Sequence, residues 1–157
     1  MTSEKTTSAV RARNLYTTGA DVGIVLIILS IALQFTSVFG SFMLAAVGII
    51  LASFFTSKLR KAIGYADIRT EDLDEYQMQQ HAEAREDGLR NALIVLMVMF
   101  LLTGVIAVGT RFVPMMDGIF VTQIYFKLLM GLMVWIPLSV ARSLAGKISR
   151  DELISSE

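Results

Sequence analysis

The sequence predicts an all-α, polytopic membrane protein: four transmembrane helices paired as two hairpins, with a polar cytoplasmic helical extension before the third span. Three observations predict it. Of the 157 residues, 54% are hydrophobic and only 18% charged, where soluble domains carry about 25% charged residues. The charges are also segregated, since Val22–Ser57, Asn91–Thr110 and Leu128–Ala141 contain none. Finally, lipid cannot satisfy exposed backbone groups, so each apolar run that crosses it must be helical.

Taken in order, residues 1–20 form a cytoplasmic N-terminal segment and 21–57 a first transmembrane hairpin. The uncharged run Val22–Ser57 would measure about 54 Å as one helix, against a hydrocarbon core of about 30 Å. Two spans with a tight turn near Phe39-Gly40-Ser41 fit better, glycine being the residue that tolerates a helix end. The spans are then expected over about Asp21–Val38 and Ser41–Ser57. The first is too long for the apolar region of a cleaved signal peptide, and no A-x-A-like site follows it.

Residues 58–90 form a charged cytoplasmic loop and helix, and 91–141 a second hairpin. "NALIVLMVMFLLTGVIAVGT" is the third span, "RFVPMMDG" breaks the helix at Pro114 and Gly118, and the fourth span runs from about Ile119 to Ala141. Residues 142–157 are a cytoplasmic tail. Twelve of the 14 basic residues lie in the N-terminal segment, the central loop and the tail. Only Arg111 and Lys127 lie elsewhere, so the positive-inside rule puts both termini and the loop in the cytoplasm of a cell membrane.

The stretch "EDLDEYQMQQHAEAREDGLR", Glu71–Arg90, raises the question of site or connection. Thr70 is a fitting N-cap, with Glu71 and Asp72 in the first turn. Good helix formers then continue without proline into the third span, so a single solvated helix is expected, packed weakly on Lys58–Lys61. Asp74, Glu75, Gln77 and His81 are the loop residues that could dock a partner. One histidine among carboxylates, with Glu83 and Asp87 as an i,i+4 pair, does not supply the convergent ligands a metal needs.

The "DEYQ" at Asp74–Gln77, followed by alanines and a basic residue ahead of an apolar span, resembles the DExQ-type segment of small uncharacterised bacterial four-helix integral membrane proteins. The resemblance covers about a seventh of the chain. It implies a membrane architecture, with the bacterial inner membrane as its setting, and no catalytic residue.

Within the spans, Ala45, Gly48 and Ala52 recur on one face of the second helix, and Gly104, Ala107 and Gly131 also permit close backbone approach. Such positions are helix-packing candidates, toward the third or fourth span, a second copy in a homodimer, or another membrane subunit. Gln34, Thr36, Thr103, Thr122, Gln123 and Ser139 can hydrogen-bond between helices. Lys127 is the one intramembrane cation, expected to snorkel to the outer boundary, and Arg111 is expected to neutralise Asp117.

Several function classes fall away. Net charge is zero and cysteine is absent, so no nucleic-acid partner, disulfide, thiolate metal site or cysteine nucleophile is expected. Met43, Met115 and Met116 lack the histidine that a copper site would add. No phosphate loop or nucleophile–base pair is present, and no cofactor is expected. A non-enzymatic accessory or scaffold subunit in the lipid bilayer is the leading expectation, with a small oligomeric transporter or channel as the alternative.

Overall fold

The computed structural model describes residues 2–63, 75–114 and 116–154. They form four helices, α1 (Thr2–Leu33), α2 (Val38–Ile63), α3 (Glu75–Gly109) and α4 (Gly118–Ile154). Each is long and apolar enough to cross a membrane, and no strand occurs among the described residues. The chain is therefore an all-helical, multi-pass membrane protein. Thr70, Glu71, Asp72, Asp74 and Met115 lie outside the described residues.

At about 1.5 Å per residue, α1, α3 and α4 measure about 48–56 Å, well beyond a hydrocarbon core of about 30 Å. The surplus lies at the ends that carry charge. α1 begins long before Asp21, and α4 continues past Ala141 to Ile154. The third span and the polar stretch before it form one unbroken helix from Glu75.

The first turn differs from the sequence expectation. It occupies Gln34–Ser37, and Gly40 sits inside α2. The last turn of α1 tightens into i to i+3 bonds, with Phe35 N–H donating to Ala32 O at 3.3 Å and Thr36 N–H to Leu33 O at 3.1 Å. Ser37 Oγ then accepts the Gly40 N–H at 3.1 Å. A serine N-cap satisfies an orphan amide of the next helix, so it sets the boundary and the glycine is not needed there. In the second turn Asp117 Oδ1 caps α4 by accepting the Phe120 N–H at 2.7 Å. Asp117 makes no ion pair with Arg111, because its carboxylate serves the helix terminus instead.

α1 and α2 touch backbone to backbone. A Cβ on Gly23 would lie 2.6 Å from Ala52 N and 2.7 Å from Gly48 O. One on Gly48 would lie 2.7 Å from Gly23 O and 2.9 Å from Ile27 Cγ1. Ala45 and Ala52 are buried on the same face. The small-residue face of α2 thus packs on α1, not on the third or fourth span. Its counterpart is Gly19 and Gly23, four residues apart, with Phe55 laid over Gly19. Without hydrophobic exclusion inside lipid, this close approach is what holds two helices together.

α4 lies centrally, against α1, α2 and α3. Its residue Gly131 faces Ile27 of α1 at an ordinary contact distance of 3.5 Å from a built Cβ. The main core joins Ala20 of α1, Leu59 and Ile63 of α2, Ala84 of α3, and Leu138, Leu144 and Ile148 of α4. All of these sit toward the charged end of the bundle. At the other end α3 is bare: 6% of its most apolar window is buried, against 33% for α4. Gly104 has nothing within 4 Å of a built Cβ, and Ala107 is exposed. These two expected packing positions therefore make no close contact within the chain.

A leucine at position 48 would drive its side chain into the Gly23 backbone, where overpacking costs about 1–3 kcal/mol or more. Gly48→Leu is expected to lower thermal stability and folded yield in detergent, while Gly104→Leu leaves both unchanged. Equal losses from the two would contradict this packing.

Candidate functional site

Two polar constellations stand out, one inside the bundle and one at its charged end. The first is built around Lys127, two and a half turns into α4. Its side chain is 1% exposed. The ammonium donates to Gln34 Oε1 and, at 2.5 Å, to Ser41 Oγ. The Phe42 ring lies 4.7 Å away as a cation–π partner. Gln34 spends both amide protons on α4, donating to Phe120 O at 3.1 Å and Gln123 Oε1 at 3.0 Å. Ser41 in turn donates to Ser30 O at 2.5 Å.

Lys127 therefore does not snorkel. The α1–α2 turn brings Gln34 and Ser41 to the ammonium, and side-chain oxygens replace the water it would otherwise seek. No carboxylate is among its partners. A full set of donors and acceptors makes the cluster a three-helix clasp rather than an open catalytic or conducting group. The other hydroxyls that the sequence singled out bond locally: Thr36, in the turn, to Leu33 O, and, within their own helices, Thr103 to Met99 O, Thr122 to Gly118 O and Ser139 to Ile136 O.

The second constellation joins the polar half of α3 to the end of α4. Tyr76 OH and Gln80 Nε2 both donate to Asp151 Oδ2, at 2.7 and 2.6 Å. Lys147 Nζ donates to Glu83 Oε2 at 2.7 Å and lies 3.7 Å from Asp87 Oδ2. Ser143 Oγ donates to Asp87 Oδ2 at 2.6 Å. Beneath these bonds Ala84 and Gly88 are buried, and a Cβ on Gly88 would collide with Val140. Deeper still, Arg142 pairs with Asp21 and lies over the Trp135 ring. Arg13, nearly fully buried, donates to Ala62 O at 3.4 Å and Ser149 Oγ at 3.3 Å.

The expected solvated helix is thus a docked one, because its 76/80/83/87 stripe meets complementary groups at 143/147/151. Of the four docking candidates, Glu75 is exposed, Gln77 half-buried and His81 buried, while Asp74 lies outside the described residues. The bonds that fix the dock come from neighbours that the sequence reading did not single out for docking. No cluster of metal-ligating side chains occurs among the described residues.

The hydrogen bond from Lys147 holds the Glu83 carboxyl below its ordinary range, helped by Gln79. The Tyr76 hydroxyl, bonded to Asp151, is pushed up. A depressed carboxyl stabilises the fold above its unfolded-state value, and that contribution fades as pH falls through the folded value. Because Glu83 is exposed, water and salt screen the effect.

Comparison with models of known families, with curated proteins and with solved structures finds no match.

Removing one partner of a buried charge costs more than removing the charge itself. Gln34→Leu strands the Lys127 ammonium and is expected to cost about 3–5 kcal/mol, whereas Lys127→Met leaves one amide oxygen unsatisfied, at about 1–3 kcal/mol. Unfolding in detergent measures both, and the reverse ranking would refute the clasp.

Proposed function

We propose that the protein is a non-enzymatic accessory or scaffold subunit of a cell membrane. It is threaded as two hairpins with both termini and the charged 58–90 segment in the cytoplasm. The distribution of basic residues supports that threading. The bare apolar half of α3 carries the functional reading. Met97, Phe100, Leu101 and Val105 are exposed, and Gly104 and Ala107 leave room for a second helix to approach closely. The buried Lys127, Gln34 and Ser41 meanwhile bond one another, which leaves helix surface as the feature that supports this reading.

A small oligomeric transporter is the second reading, and buried Lys127 is the observation that favours it, since intramembrane cations mark substrate paths. Against it, a cleft of about 580 Å³ between α1, α3 and α4, which Lys127 also lines, is almost wholly apolar at its surface, and the Lys127 ammonium is bonded to Gln34 and Ser41.

Purification in mild detergent followed by intact-complex mass measurement tests the proposal. The expected result is a 17.3 kDa chain bound at fixed stoichiometry to a membrane protein or a second copy. Gly104→Leu should release that partner from a chain that stays folded. A monomer carrying only lipid would sink the subunit reading, and solute flux through liposomes of the pure chain would favour the second. For the threading, Phe39→Cys should react with an impermeant thiol reagent outside intact cells and Gln79→Cys should not. The opposite pattern would invert it.

A further inference from the structure

The bare face of α3 carries a repeat. Leu93, Met97, Phe100, Gly104 and Ala107 follow one another at four, three, four and three residues, the alternation that keeps one line of a helix against a partner helix. All five are exposed, Met97 and Phe100 by 70% and 78%. α3 turns other residues to its own chain: Ala84, Gly88 and Ala92 are buried, and Val95, Met99 and Leu102 line the cleft shared with α1 and α4. At about 3.6 residues per turn the two sets lie on opposite sides of the helix. We propose that this seam pairs with the same seam of a second copy, making a parallel, two-fold symmetric homodimer through α3. The inference rests on the subunit reading above and names its partner.

Fit is the first argument, because exposure alone selects no partner in lipid. From Leu93 to Ala107 the seam runs about 21 Å, most of a hydrocarbon core of about 30 Å. A glycine inside a helix weakens it, and Gly23, Gly48 and Gly131 each meet another helix in return, whereas Gly104 has nothing within 4 Å of a built Cβ. Two helices joined on the seam approach closely at Gly104 and Ala107 and interlock at Leu93, Met97 and Phe100. The outward line of α2 offers no such approach. It is bulky throughout, from Phe39 and Met43 to Ile50 and Phe54, and the small residues of that helix are spent on α1.

Charge is the second argument, and it selects a second copy. The alternation continues out of the apolar run, through Arg90 three residues before Leu93 and Glu86 four before that. Both are exposed. Two copies of one chain share one threading, so their α3 helices run parallel and the seams face each other across a two-fold axis. Arg90 of each copy then enters a hole whose rim includes Glu86 of the other, and two opposite-charge contacts form. The seam is thus its own complement in charge as well as in shape.

The chain has no cysteine, so single replacements in the full chain report contacts directly. Leu93→Cys, Met97→Cys, Phe100→Cys and Ala107→Cys are each reconstituted alone into phosphatidylcholine vesicles at high lipid dilution and oxidised with copper phenanthroline. The expected product is a disulfide-linked species of twice 17.3 kDa. Its yield should exceed by about fivefold that from Val98→Cys and Val105→Cys, which are exposed on another side of α3. Arg90→Glu should lower the yield from Phe100→Cys about threefold, and adding Glu86→Arg should restore it. A helix merely damaged at position 90 would not recover.

Equal yields from all six cysteines would mean random collision and overturn the homodimer, as would the absence of a linked species from any of them. Failure of the charge swap to restore the yield would overturn the pairing of Arg90 with Glu86 that selects a second copy. If the seam cysteines, oxidised in the native membrane, link to a different protein instead, the homodimer falls and the subunit reading stands. A chain that links to nothing in either setting sinks both.

Discussion

Inside a bilayer, apolar side chains gain nothing by leaving lipid for one another, and that constraint decides where this chain packs. α1 and α2 stay together because Gly23 and Gly48 let their backbones meet. α4 is fixed to them by the Lys127–Gln34–Ser41 clasp and by the core around Leu59 and Leu138. α3 has neither a small-residue seam nor a clasp within the membrane, and there it stands almost free. It is held by its polar half, through Ala84, Gly88 and the bonds to Ser143, Lys147 and Asp151.

The charged middle of the chain is therefore structural before it is anything else. Hydrophobic burial regains its driving force outside the lipid, and the helices overrun the hydrocarbon to use it. The same arrangement leaves the apolar half of α3 uncovered, a consequence of anchoring the helix by its polar half.

The number of spans and the all-helical class were legible because apolar runs without charge are long, and because lipid permits few alternatives. The helix ends were less so. Gly40 looked like the turn, but Ser37 competes as a cap, and a cap is decided by one hydrogen bond that composition does not reveal. Ala45, Gly48 and Ala52 lie buried on the face of α2 that meets α1. Their partner was missed, although Gly19 and Gly23 carry the spacing that would have found it. Lys127 was read as snorkelling because its neighbours in sequence are apolar. Its ligands come from residues 34 and 41, which only the folded α1–α2 turn brings near. The pair Glu83 and Asp87 was visible in the sequence, but the partners of the 76/80/83/87 stripe at 143/147/151 lie 56–75 residues away.

The central claim is that the polar half of α3 is a docked part of the fold. Hydrogen–deuterium exchange on the full chain in lipid nanodiscs tests it most directly, because protection reports local opening. Amides of Met78–Leu89 are expected to exchange as slowly as those of Ser143–Arg150, the surface they pack on. Exchange of Met78–Leu89 at the rate of an isolated solvated helix, with Ser143–Arg150 still protected, would contradict the account.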